Sequence, residues 1–121
     1  MVAWDATPAA VHAVSAAMPF LRSTREVVVA HVTDDEAFQR RRSGVELCHH
    51  LSQHGVRTQF APVQRGERGV ADALLEAARV YDVGLLVMGA YALSALRRLI
   101  FGSATRGMFE RSFDVPILMV N

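Results

Sequence analysis

The run VGLLVM, from Val83 to Met88, constrains this chain more than any other stretch. It offers no polar residue to turn toward solvent, so a strand built from it is buried on both faces, and such strands belong inside parallel sheets. Gly89 closes the run. EVVVAHV, from Glu26 to Val32, is β-branched and apolar in the same way and reads as a second buried strand.

Around these two runs the chain alternates strand and helix. Val2 to Trp4 is a short first strand ending at Asp5, although a central strand usually has about five or six residues. Thr7 is placed to cap a helix and Pro8 to occupy its first turn, and Val11, Val14, Ala17, Met18 and Leu21 recur at helical spacing over Ala9 to Leu21. Thr33 to Arg42 is polar and charged and reads as a loop or a ragged helix start. Gly44 to His54 reads as helix two, with Val45, Cys48 and Leu51 or Ser52 toward the sheet and Gly55 stopping it. Val56 to Val63 alternates as a strand, and Pro62 places it at a sheet edge. After the loop Gln64 to Gly69, helix three carries Val70, Ala73, Leu74, Ala77 and Ala78 as its apolar stripe. Asp82 introduces strand four, Ser103 to Ser112 reads as helix four, and Pro116 to Val120 as strand five. This alternation gives an α/β chain: a doubly wound, five-stranded parallel sheet between two helical layers, with right-handed crossovers.

Composition narrows the function classes. The 121 residues suit one domain, residues 1–121, with a core of its own. Thirteen basic against twelve acidic side chains leave a net charge of +1, so no bulk field favours nucleic acid or an acidic membrane surface. The apolar stretch from Val83 to Leu93 is too short for a bilayer, which needs roughly 20 residues. A single Cys48 excludes an intrachain disulfide and fits a reducing compartment, and no signal peptide opens the chain; the expectation is a cytoplasmic protein.

The chemistry concentrates after strand four. Gly102, Ser103 and Thr105 open an amphipathic helix, and free N–H groups with the positive end of the helix dipole make such a start a seat for phosphate. Twelve residues separate Gly89 from Gly102, a long connection for a compact α/β unit, and long connections tend to wrap a ligand. The spacing Gly89, two residues, Ala92, nine residues, Gly102, Ser103 resembles the nucleotide-binding signature G-x2-G-x9-G-[ST] of the universal stress protein family, with Ala92 standing where the motif has its second glycine. VAWDATPAA resembles the family's first strand and Asp loop, and VPILMV its last strand, so the resemblance covers nearly the whole chain.

That resemblance implies the strand order 3-2-1-4-5 of adenine nucleotide alpha hydrolase-like folds. The order reverses between strands one and four, where ligands bind beyond the carboxyl ends. It also implies an adenine nucleotide, ATP or AMP with Mg2+, bound as a stress sensor or regulatory module. Asp5 and Val32 would meet the nucleoside, Met88 would line the base pocket, and Gly89, Ala92, Gly102, Ser103 and Ala104 would surround the phosphates. Family members often dimerise through strand five, and some carry two such domains, so the expected partner of Pro116 to Val120 is a second copy or a sister domain; the chain reads equally as one half of a tandem protein or as a domain trimmed ahead of Met1.

Each residue also has a plainer role. Asp5 can close an Asx turn, Gly89 can merely end a strand, and Val32 and Met88 can be core. The competing expectation is therefore a domain of the same family that has lost ATP binding and acts as a structural or protein-interaction partner. Ala92, the short first strand and the brief connection before helix two favour it. Cβ at position 92 restricts positive φ and close approach to phosphate, while Ser94, Arg97 or Arg98 are placed to compensate. His49, His50 and His54 lack the further ligands of a metal site, His31 reads as a hydrogen-bonded structural residue, and Arg40 to Arg42 as a solvated face. There is no G-x4-GK[ST] loop and no G-x-G-x-x-G after strand one. No catalytic residue is assigned; the only activity in view is slow hydrolysis of bound ATP.

Overall fold

A computed structural model describes residues 1–33, 38–90 and 115–121, with side chains omitted for 38–41. Its elements are β1 (Val2–Ala3), α1 (Pro8–Ser23), β2 (Val27–Thr33), α2 (Phe38–Gln53), β3 (Thr58–Gln64), α3 (Val70–Val80), β4 (Leu86–Gly89) and β5 (Ile117–Val120). The five strands form one parallel sheet in the order β3-β2-β1-β4-β5. The expected α/β doubly wound topology is thus present, and Pro62 lies on the edge strand β3, opposite His31. Helix four, expected over Ser103 to Ser112, lies outside the described residues.

Two apolar clusters hold the layers together. On one face Ala13, Val14, Ala17 and Leu21 of α1, with Leu47 and Leu51 of α2, pack on Val2, Val27, Val29 and Val87. On the other, Ala71, Leu74, Ala77 and Ala78 of α3 pack on Val28, Ala30, Leu86 and Met88. Successive residues of β2 and β4 alternate between the clusters, and the strand period of two distributes their continuous apolar runs to both faces. All four residues of β4 are buried.

Several boundaries differ from the sequence reading. α2 begins at Phe38, inside the stretch that reads as a loop or ragged helix start, because Gln and Arg are good helix formers even where no apolar stripe marks them. Its buried phase is Gly44, Leu47 and Leu51, leaving Val45 52% exposed and Cys48 half-buried. Gly44 sets that phase, since an added Cβ would run into the Phe60 ring. Val11 of α1 is likewise exposed, with Ala10 and Ala13 taking the sheet side. Gly55 does stop α2, in the left-handed region at φ +78°, while Val56 N–H returns to the Leu51 carbonyl. β4 starts only at Leu86, three residues into the apolar run, and β1 has two residues where β2 has seven.

Candidate functional site

The strand order reverses between β1 and β4, so the crevice at their carboxyl ends is where this topology offers a ligand site. The end of β1 is fixed there by three hydrogen bonds of Trp4, two to β2 and one to α2. Trp4 N–H donates to the Ala30 carbonyl of β2 at 2.8 Å, the Trp4 carbonyl accepts from His31 Nδ1 at 2.8 Å, and Trp4 Nε1–H donates to Ser43 Oγ of α2 at 2.9 Å. A carbonyl can only accept, so His31 carries its proton on Nδ1. The ring is 3% exposed, and its Nε2 finds no partner among the described residues.

Asp5 follows at once. Its Oδ1 accepts from Thr7 N–H at 3.0 Å and from Thr7 Oγ1–H at 2.7 Å, and the same Thr7 oxygen accepts from Ala10 N–H at 3.2 Å to cap α1. This is an Asx turn fused to an N-cap. Between the two lies Ala6 at φ +61°, a conformation that costs an alanine on the order of 1 kcal/mol and is held by the bonds on either side. Asp5 is exposed, and its Oδ2 takes no bond among the described residues, so the carboxylate is braced by one oxygen and open at the other. An acceptor so placed suits hydroxyl or amino donors and repels phosphate. The D-x-T spacing is a sequence signal for this turn; Thr7's double role as brace and cap was not legible from the cap alone.

Gly89 ends β4 against the start of α1. A Cβ there would lie 2.7 Å from Ala10 N, 2.7 Å from the Ala9 carbonyl carbon and 2.9 Å from Ala9 Cβ. Its glycine is therefore demanded by helix–strand contact, a reason beyond ending the strand. Val32 is half-buried near the end of β2, beside Val63 of β3, against the α3-side cluster. Met88 is 1% exposed, wholly within that cluster. Asp5, two residues past β1, and Gly89, the last residue of β4, thus stand at the carboxyl ends of the two strands between which the order reverses, Val32 lies near the end of the neighbouring β2, and Met88 belongs to the core. Ala92, Gly102, Ser103 and Ala104 lie outside the described residues.

The other candidates are placed as well. His50 and His54 stack edge to face at 4.7 Å between centroids, and His49 contacts Gln53. No group of three His, Cys, Asp or Glu side chains able to hold a metal occurs among the described residues. Burial raises the Cys48 thiol above its ordinary value, which suits a packing residue better than a thiolate ligand. No described helix is long and apolar enough to cross a membrane.

No family model matches the sequence, and no curated protein matches it. Solved structures do. A universal stress protein in complex with cAMP is similar over 99% of this chain and 94% of its own, with a TM-score of 0.65 at 17% identity. A protein from the universal stress protein family from Burkholderia pseudomallei is similar over 98% and 92%, with a TM-score of 0.64 at 23% identity. The five-stranded 3-2-1-4-5 sheet with its helices is the fold these proteins share with the chain.

Proposed function

We propose that this chain is a universal stress protein domain that binds an adenine nucleotide at the β1/β4 reversal and serves as a cytoplasmic stress sensor or regulatory module. The observation that carries this reading is the braced Asp5, which follows β1 at the reversal: one oxygen is spent on Thr7, and the other takes no bond among the described residues. A ribose presents hydroxyl donors of the kind that oxygen accepts, and Val32 offers an apolar wall for a base. Gly89 leads into the segment whose Gly102, Ser103 and Ala104 match phosphate-binding positions of the family signature, while Ala92 departs from its second glycine. The similar structure in complex with cAMP supports an adenine nucleotide as the ligand class.

Occupied by ATP with Mg2+, the crevice would use Asp5 to orient the sugar, while backbone N–H groups near Gly102 and Ser103 would take the phosphates. Slow ATP hydrolysis would need in addition a group that positions water. Dimerisation through β5 is part of the same proposal: Ile117, Leu118, Met119 and Val120 form an edge strand without a charge, Met119 is exposed, and pairing with a second copy would cover it.

Two observations favour a second reading, a domain of the same fold that works as an interaction partner without ATP. Asp5 and Gly89 each have a sufficient structural reason, in the Asx turn and in the α1 contact. Calorimetric titration with Mg-ATP and with AMP, alongside an Ala92→Gly variant, separates the readings. Binding by the original chain supports the sensor. Binding gained only in the variant identifies Ala92 as the lesion, and binding by neither leaves the interaction module.

A further inference from the structure

The ladder between β1 and β2 stops before β2 does. Its register ends with Ala3 opposite Ala30, while β2 runs on to Thr33 and stays paired with β3 as far as Gln64. Trp4 opens one more rung and leaves it incomplete. Its N–H donates to the Ala30 carbonyl at 2.8 Å, and in a parallel ladder the return bond would run from Val32 N–H to the Trp4 carbonyl. Val32 is turned to that side: Val27 N–H donates to the Arg57 carbonyl on the β3 side, and the alternation along the strand then points Val28, Ala30 and Val32 toward β1. The Trp4 carbonyl is taken instead by His31 Nδ1–H at 2.8 Å.

This capture is made at the expense of stability. His31 is the one ring in a strand of Val, Ala and Thr, and it is buried. With the proton on Nδ1, Nε2 is an acceptor, and it is buried without a partner among the described residues. An apolar side chain of similar volume would spare the strand that orphan nitrogen. What the ring gives in return is its other nitrogen, held on the carbonyl that immediately precedes Asp5.

We propose that His31 is a positioning residue for the crevice: by capturing the Trp4 carbonyl it ends the β1/β2 ladder at Ala30 and sets where the chain leaves the sheet, one peptide ahead of Asp5. That the placement serves a ligand rests on the nucleotide reading; the placement itself rests on the ladder. Without the capture the ladder gains its missing rung, Trp4 is drawn against β2, and Asp5 moves with it.

Two variants separate this role from simple support of the fold. His31→Leu fills the space and has no donor for the Trp4 carbonyl. His31→Asn sets an amide nitrogen on the carbon that bears Nδ1 in histidine, which keeps the donor and leaves part of the volume empty. For His31→Leu the expected results are a Tm at or above the original, exchange at the Val32 amide slowed about tenfold or more relative to Val29, and AMP bound about tenfold or more weakly. For His31→Asn they reverse: a lower Tm, with Val32 exchange and AMP affinity within about threefold of the original. Affinity falling in step with Tm in both variants would overturn the proposal, and so would a Val32 amide unchanged in His31→Leu. Should the original chain bind no AMP, the nucleotide reading falls, and Val32 exchange decides the capture by itself.

Discussion

The two ends of β1 differ more than any other pair of regions in the molecule. At the carboxyl end the backbone is tied down on all sides: Trp4 to β2 and α2, Asp5 Oδ1 to Thr7, Thr7 to α1, and Gly89 so close to α1 that no Cβ fits. At the amino end, four to six residues away along β2 and β4, there is a cavity, and Gly84 on its wall has nothing within 4 Å of an added Cβ. The same sheet is thus over-determined at the carboxyl ends of β1 and β4 and slack at the amino ends. Rigid backbone at the site is what pre-organises an acceptor such as Asp5, and the slack end can give way without disturbing it.

The contrast is broken most directly by one methyl group. Gly89→Ala is expected to destabilise the fold by about 3 kcal/mol, because the clash is with the backbone of α1, which cannot rotate away. Gly84→Ala at the other end is expected to stay within about 0.5 kcal/mol, and urea melts of the pair measure the difference. Thr7→Ala comes next, at about 1 kcal/mol in the same melts, since it removes the cap of α1; it also unbraces Asp5 and should weaken nucleotide binding beyond its effect on stability. Trp4→Phe, which loses the bond to Ser43 and part of the indole's packing on the α1/α2-side cluster, is expected to cost about 1 kcal/mol.

The slack end has its own signature in pH. Burial lowers the Met1 amine from its ordinary 8.0 to about 6. Between those values the unfolded chain holds the proton more tightly than the folded one, so this contribution to stability is complete above pH 8 and is lost as pH falls toward 6. Thermal melts across that window should show the slope, and acetylation of the amine should abolish it.

The fold was legible because the chain's two most apolar runs are strands with neighbours on both sides, a pattern that survives without knowledge of partners. What the sequence did not disclose is set by partners. Val83 to Leu85 are as apolar as Leu86 to Met88, yet β4 begins at Leu86, beside the first rungs of β1. The phase of α2 follows Gly44 against Phe60, a contact between residues 16 apart that no periodicity announces. At the site, Asp5 could be read as an Asx turn or as a ligand acceptor, and the structure shows the turn, made through one carboxylate oxygen. Gly89 had a motif reading and a strand-end reading; its contact with α1 is a third reason, visible only in three dimensions.

The most direct test of the account is an amide NMR titration of the protein with Mg-ATP, which reads both ends of β1 at once. The account predicts saturable shifts at Asp5, Ala6, Thr7, Gly89 and Ala90, with Val28 and Gly84 unmoved. Shifts confined to Val28 and Gly84, or a spectrum unchanged at saturating nucleotide, would contradict it.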